Sequence, residues 1–186
     1  MQKELEKIFF KSLIEAIVNE ECELNELFEK NTIEYQKVTP YGVSCLYETT
    51  YVYLTLKQLL KNKFPLLVSW EHPYPNNKFQ KADLALLNDS EIDNVNSFVE
   101  FKIWKSEDGH EIKLDVEKLK NEAGTFDRYI VAIDYNTGII DENAKFLNEK
   151  IGLEVIEKTS LITSFYDWEK KNNKQVTMNI YFAKVK

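Results

Sequence analysis

The chain has 186 residues, 44% of them apolar and 30% charged, with five glycines and four prolines. That is an ordinary globular composition, long enough to bury a sizeable core without disulfides or a structural metal; it excludes collagen-like, linker-rich and largely disordered chains. The formal net charge of −7 argues against a protein that coats nucleic acid, though not against an enzyme with a local basic patch.

Two cysteines, Cys22 and Cys45, are too few for a disulfide framework or a Cys-rich zinc site. The N-terminus is charged from Lys3 onward, and no apolar run approaches the ~20 residues of a membrane span. The expectation is a cytoplasmic protein with free thiols and no membrane partner. Arg128 is the only arginine, which lowers the expectation of sequence-specific duplex reading, where bidentate guanidinium contacts dominate.

Residues 2–30 carry Leu5, Ile8, Phe9, Ala16, Ile17, Leu24, Leu27 and Phe28 at three- and four-residue steps, which predicts a helix with a break near Asn19. Pro40 and Gly42 punctuate the chain. Residues 44–62 mix strand-like residues (Thr49 to Thr55) with a lysine-rich end that suits a helix C-terminus, and are read as helix. On it, Glu48, Val52, Thr55 and Leu59 form one stripe. Three strands are predicted next, at Leu66–Glu71, Ala82–Asn88 and Phe98–Trp104, the last two joined as a hairpin. A helix at Glu111–Asn121 and a buried strand at Arg128–Tyr135 follow. The C-terminal part reads as helix 140–150, short strand 153–157, helix 160–171 and strand 175–185. The whole predicts an α/β fold, a mixed sheet flanked by helices, in a single domain. Residues 1–43 form an N-terminal helical extension, 44–135 a core, and 136–186 an α/β completion of the sheet.

Asp83 and Glu100 stand inside apolar strands, where a carboxylate loses hydration and needs a partner, a proton or a metal. Alternation puts Ala82, Leu84 and Leu86 on one face and Asp83 on the other. It likewise separates Val99, Phe101 and Ile103 from Glu100 and Lys102. A hairpin would bring Asp83, Glu100 and Lys102 together, two oxygen ligands for a hard cation with an ammonium beside them. A buried ion-pair cluster that only shapes a pocket is the competing reading.

These residues, Asp83 in Lys81-Ala-Asp-Leu and the triplet Glu100-Phe-Lys102, resemble the PD-(D/E)XK nuclease superfamily, the restriction-endonuclease-like fold. The element order α-β-β-β-α-β over residues 44–135 matches too. Ala82 replaces the family's proline, and Glu-x-Lys recurs at Glu111 and Glu169, so the strand context is what marks Glu100. The resemblance implies metal-dependent phosphodiester hydrolysis, as an endonuclease or exonuclease, of DNA rather than RNA. It implies Mg²⁺ or Mn²⁺ held by Asp83, Glu100 and the Phe101 carbonyl, with Lys102 orienting or deprotonating water and balancing phosphate charge. A third carboxylate would come from Glu48 or Glu71. Asp115 and Lys118 would stand behind the ligands, and Lys78, Lys81, Lys105 and Lys113 are candidate phosphate contacts. A homodimer or a larger complex would supply recognition surface that so short a chain lacks.

Other residues carry less. His72 and His110 have no Cys or His partner at metal spacing. No nucleophile motif surrounds Cys45, and no Gly-rich phosphate loop is present. Tyr47, Tyr51, Tyr53, Trp70 and Trp104 read as core or interface rather than stacking platforms. The rival function is a catalytically inactive nuclease-like fold serving as a protein-binding or assembly module, which the acidic charge and N-terminal helix suit.

Overall fold

A computed structural model of the chain describes residues 1–30, 42–91, 94–135, 139–167 and 172–186. Among the described residues six strands form one mixed sheet, and four α-helices flank it. In chain order the elements are α1 (Lys3–Lys30), α2 (Glu48–Lys61), β1 (Leu67–Pro73), β2 (Lys81–Leu87), β3 (Val95–Trp104), α3 (His110–Asn121), β4 (Asp127–Asp134), α4 (Ile140–Phe146), β5 (Leu153–Asp167) and β6 (Asn172–Val185). A 3-10 turn at Val43–Cys45 precedes α2, and a π-helical turn, Leu147–Ile151, extends α4. The spatial strand order is β1-β2-β3-β4-β6-β5. The β1-β2-β3 meander is antiparallel; β3 and β4 are parallel, joined across α3; β6 runs antiparallel to both β4 and β5.

Two apolar layers cover the sheet. On one face Leu84, Leu86, Val99, Phe101, Val131 and Ile180 pack with Phe9, Leu13 and Ile17 of α1 and Val52 and Leu59 of α2. On the other, Ala85, Phe98, Trp104, Ile130 and Ala132 pack with Ile112, Val116 and Leu119 of α3 and Ala144 of α4. The two-residue period of the strands and the three-to-four-residue period of the helices produce this division.

Most predicted elements stand within a few residues of their expected ends. Helix α1 continues through Asn19 without a break. Strand β3 begins three residues earlier than expected, at Val95. The larger correction lies near the C-terminus. The predicted short strand 153–157 and helix 160–171 are replaced by one strand, β5, through Asp167; residues 168–171 lie outside the described ones. Lys158-Thr-Ser-Leu-Ile-Thr is rich in β-branched residues, and the ladder with β6 runs from Leu153↔Val185 to Asp167↔Asn172. That pairing overrides the weak helical spacing. Pro40, expected to punctuate the chain, lies outside the described residues. Gly42 does turn it, at φ 92, where an added Cβ would stand 1.9 Å from the Ser164 carbonyl oxygen.

Glu21 clasps α1 to this region. Its carboxylate accepts hydrogen bonds from the Val43 amide (2.7 Å), the Thr163 hydroxyl (2.7 Å), the Ser164 amide (2.8 Å) and Asn25 (3.1 Å). Burial pushes its pKa up, but these bonds outweigh burial and hold it below the ordinary value.

Arg128 serves the fold. Its guanidinium donates to the carbonyls of Leu119 (2.8 Å), Glu122 (2.5 Å), Phe126 (3.3 Å) and Gly124 (3.4 Å), closing the C-terminus of α3, and lies over the Phe126 ring. Charged donors suit the negative end of a helix. Arg128→Ala is expected to lower the unfolding free energy by about 2 kcal/mol, with lost protection of the last turn of α3 in hydrogen exchange. Unchanged urea melts would refute this.

Candidate functional site

The site lies where the β2–β3 ladder ends. The two strands pair from Leu87↔Val95 to Leu84↔Val99 and no further. Beyond that point β3 continues through Trp104, and two of its amides turn to carboxylates instead of a neighbouring strand. The Phe101 amide donates to Asp83 Oδ2 (2.7 Å), and the Ile103 amide to Glu48 Oε2 (3.0 Å). Buried backbone donors demand acceptors, so these carboxylates are fixed by the backbone they serve.

Glu100 and Lys102 face α3, as alternation predicts. Helix α3 answers with opposite charges one turn apart. Lys118 Nζ donates to Glu100 Oε1 at 2.6 Å, and Asp115 Oδ2 lies 3.2 Å from Lys102 Nζ. The strand reads Glu-x-Lys and the helix Asp-x-x-Lys, so the two charge patterns match in antiparallel order. Lys102 is also paired across the sheet end with Glu48 Oε1 (2.9 Å). Glu48 occupies the first turn of α2, where the helix dipole favours a carboxylate.

Glu100 is 3% exposed. Burial, and then the neighbouring Asp83 charge, raises its pKa to about 7 against the help of Lys118 and Tyr74. Asp83 is raised as well, by burial first, and Glu48 adds to the shift. Burial also raises Asp115, against the pull of Lys102; its Oδ2 is buried and has no hydrogen bond of good geometry. For Lys102, burial pulls downward, but Glu48 and Asp115 win and hold its pKa above the ordinary lysine value.

Several expected residues take other positions. Glu71 does not join the acidic pair: it adopts φ 49, its side chain is exposed, and it pairs with Lys81 at 3.1 Å. The distorted backbone turns it outward beside Asp83. Glu48 lies within the field of Asp83, but both its oxygens are engaged by Lys102 and Ile103. What Phe101 places on Asp83 is its amide. Ala82 packs with Ala85 in the α3-side layer, not with Leu84 as alternation predicts. Among the candidate phosphate contacts, Lys78 and Lys105 are exposed, Lys113 is half-buried and Lys81 is paired with Glu71. Glu111, of the second Glu-x-Lys, accepts the amides of Lys105 and Ser106 and so closes the loop before α3. His72 is buried, with its Nδ1 3.1 Å from the Ser69 hydroxyl. Tyr51 and Trp104 are core residues, whereas Tyr47, Tyr53 and Trp70 are exposed.

Sequence reasoning missed Tyr74. Its hydroxyl donates to Glu100 Oε1 from within the β1–β2 hairpin, and the residue is fully buried. Its neighbours Pro73 and Pro75 mark a turn; the buried aromatic inside that turn was the available signal.

The donor set suits a hard divalent cation. Glu48, Asp83, Glu100 and Asp115 face only Lys102 and Lys118, an excess of two negative charges once all four carboxyls are ionised. Phe101, Lys118 and Tyr74 leave Asp83 Oδ1 and Glu100 Oε2 outside their bonds. Oxygen donors of this kind fit Mg²⁺ or Mn²⁺ rather than zinc. Among the described residues no group of three His, Cys, Asp or Glu side chains is placed to hold a metal ion. No helix among the described residues is long and apolar enough to cross a membrane. Comparison with protein-family models, curated proteins and solved structures finds no match for the chain.

Proposed function

We propose that the chain is a metal-dependent nuclease with a restriction-endonuclease-like core, hydrolysing phosphodiester bonds, with DNA as the expected substrate. The observation that carries this reading is the juxtaposition of Asp83 and Glu100. Two carboxylates from adjacent strands are held together; burial raises the cost of ionising both, and the Asp83 charge raises it further for Glu100, while a hydrogen bond with Glu100 eases Asp83. A cation would relieve that cost. Asp83 and Glu100 would hold Mg²⁺ or Mn²⁺, which when bound polarises a phosphate and acidifies water.

The chain's own groups then have distinct tasks. Lys102 is kept protonated by Glu48 and Asp115, so it supplies positive charge to a phosphate rather than taking a proton from water. Glu48 fixes that ammonium against the end of β3. Recognition surface would come from a second copy or a larger complex.

A second reading, an inactive assembly module, is favoured by one observation: both lysines of the cluster already hold carboxylate partners. Calorimetric titration with Mn²⁺ separates the two. Saturable binding is expected in the wild type and its loss in Asp83→Ala. If a folded wild type binds no Mn²⁺ with or without single-stranded, nicked or branched DNA, the nuclease reading fails.

A further inference from the structure

Lys118 stands in a place built for a cation. Its ammonium touches Glu100 Oε1 at 2.6 Å and the Lys81 carbonyl oxygen at 3.2 Å, and lies 5.0 Å from the centre of the Tyr74 ring. A carboxylate, a carbonyl and an aromatic face are three groups that attract positive charge. The same Glu100 forms half of the acidic pair. Lys102 differs: its partners are Glu48 and Asp115, both outside that pair.

We propose that Lys118 is a resident counter-cation of the Asp83–Glu100 pair, which a divalent metal must displace from Glu100 in order to bind. This rests on the reading of the pair as a metal site. Electrostatics supplies the reason. An ammonium and a divalent ion sharing one buried carboxylate repel each other strongly where water is scarce. Lys118 can yield, because its side chain is 24% exposed and its four-carbon stem reaches solvent. Lys102 stays, since nothing that binds Asp83 and Glu100 removes its own partners. The two lysines thus divide the work: one is fixed, while the other guards the empty pair and leaves when metal arrives.

The test compares Mn²⁺ affinity of the wild type, Lys118→Met and Lys118→Arg by calorimetry, above the range in which Glu100 titrates. Lys118→Met is expected to bind about tenfold more tightly than the wild type, the worth of one charge-assisted hydrogen bond no longer broken. Lys118→Arg, which keeps the charge, should stay near the wild type. If the wild type binds Mn²⁺ and Lys118→Met binds equally or more weakly, the proposal is overturned while the metal reading stands. If neither protein binds although both melt cooperatively, the metal reading falls and takes this proposal with it. A measurement on the wild type alone covers the case of a misfolded variant. Acetylation of the Lys118 amine, followed by mass spectrometry, should accelerate at saturating Mn²⁺ relative to Lys102. An unchanged or slower rate at Lys118 would overturn the displacement.

Discussion

Glu100→Gln is expected to make the metal-free protein more stable above neutral pH and, in the same stroke, to cut the proposed phosphodiester hydrolysis severely. Glu100 titrates at about 7 in the folded chain against an ordinary 4.5, because it is buried and beside Asp83. The folded state therefore holds the Glu100 proton more tightly than the unfolded state does. The stability that this group contributes is complete below pH 4.5 and is lost as the pH rises through about 7. Converted at 1.36 kcal/mol per unit, the loss is on the order of 3 kcal/mol at high pH. Glutamine imitates the protonated acid: its oxygen still accepts from Lys118 and Tyr74, and it carries no charge to bury.

Urea melts of the two proteins should thus nearly coincide around pH 4 and separate progressively above it, with the variant the more stable by roughly 2–3 kcal/mol. Coincident melts at every pH would show that Glu100 ionises without strain. For activity the sign reverses. Losing one of the two proposed anionic ligands should weaken Mn²⁺ binding and reduce the proposed hydrolysis by about three orders of magnitude, since metal polarisation is worth several kcal/mol. Residual cleavage close to the wild-type rate would remove Glu100 from the chemistry.

Lys102→Met carries the second large effect, with stability and activity falling together. Lys102 is the ammonium that both Glu48 and Asp115 face, at 2.9 and 3.2 Å. Its removal leaves two carboxylates near each other without a directly paired ammonium, and the buried Asp115 Oδ2 has no hydrogen-bond partner. Breaking a buried pair from one side costs about 3–5 kcal/mol; the side chains here are 14–34% exposed, so solvent reduces the expectation to about 2–3 kcal/mol. The double variant Lys102→Met/Asp115→Asn should recover part of this loss, and a double-mutant cycle reads the coupling. Additive effects would mean that the pair contributes nothing. Because Lys102 stays charged well above neutrality, the pH–rate profile of the wild type should show no basic limb from a lysine that must lose its proton.

Much of the site was legible along the chain because its signals are local. A carboxylate between apolar neighbours in a strand is visible in a five-residue window, as Asp83 and Glu100 are. The two-residue period alone places Glu100 and Lys102 on one face. Glu48 was marked because its helical stripe is otherwise apolar or small, and it does reach the sheet end. Glu71, at the end of the first predicted strand, was its rival from sequence. Its left-handed backbone, φ 49, turned it to solvent, and no residue pattern announces that.

Strand β5 shows the same limit at the level of the fold. Over residues 160–167 the spacing of Leu161, Ile162 and Phe165 is compatible with either period. The ladder with β6 decides between them, and it is a contact made across the sheet.

Sequence by itself determined the α/β class, most elements, the two strand carboxylates and the faces they occupy, since periodicity and desolvation act between near neighbours. The tertiary structure decided how the charges are partnered. It gave Lys102 to Glu48 and Asp115, brought Lys118 and Tyr74 onto Glu100, and ended the β2–β3 ladder so that Asp83 and Glu48 cap free amides of β3. Those pairings join residues 13 to 55 positions apart. They follow from how helices dock on the sheet, and a Coulomb interaction depends on the distance that docking sets.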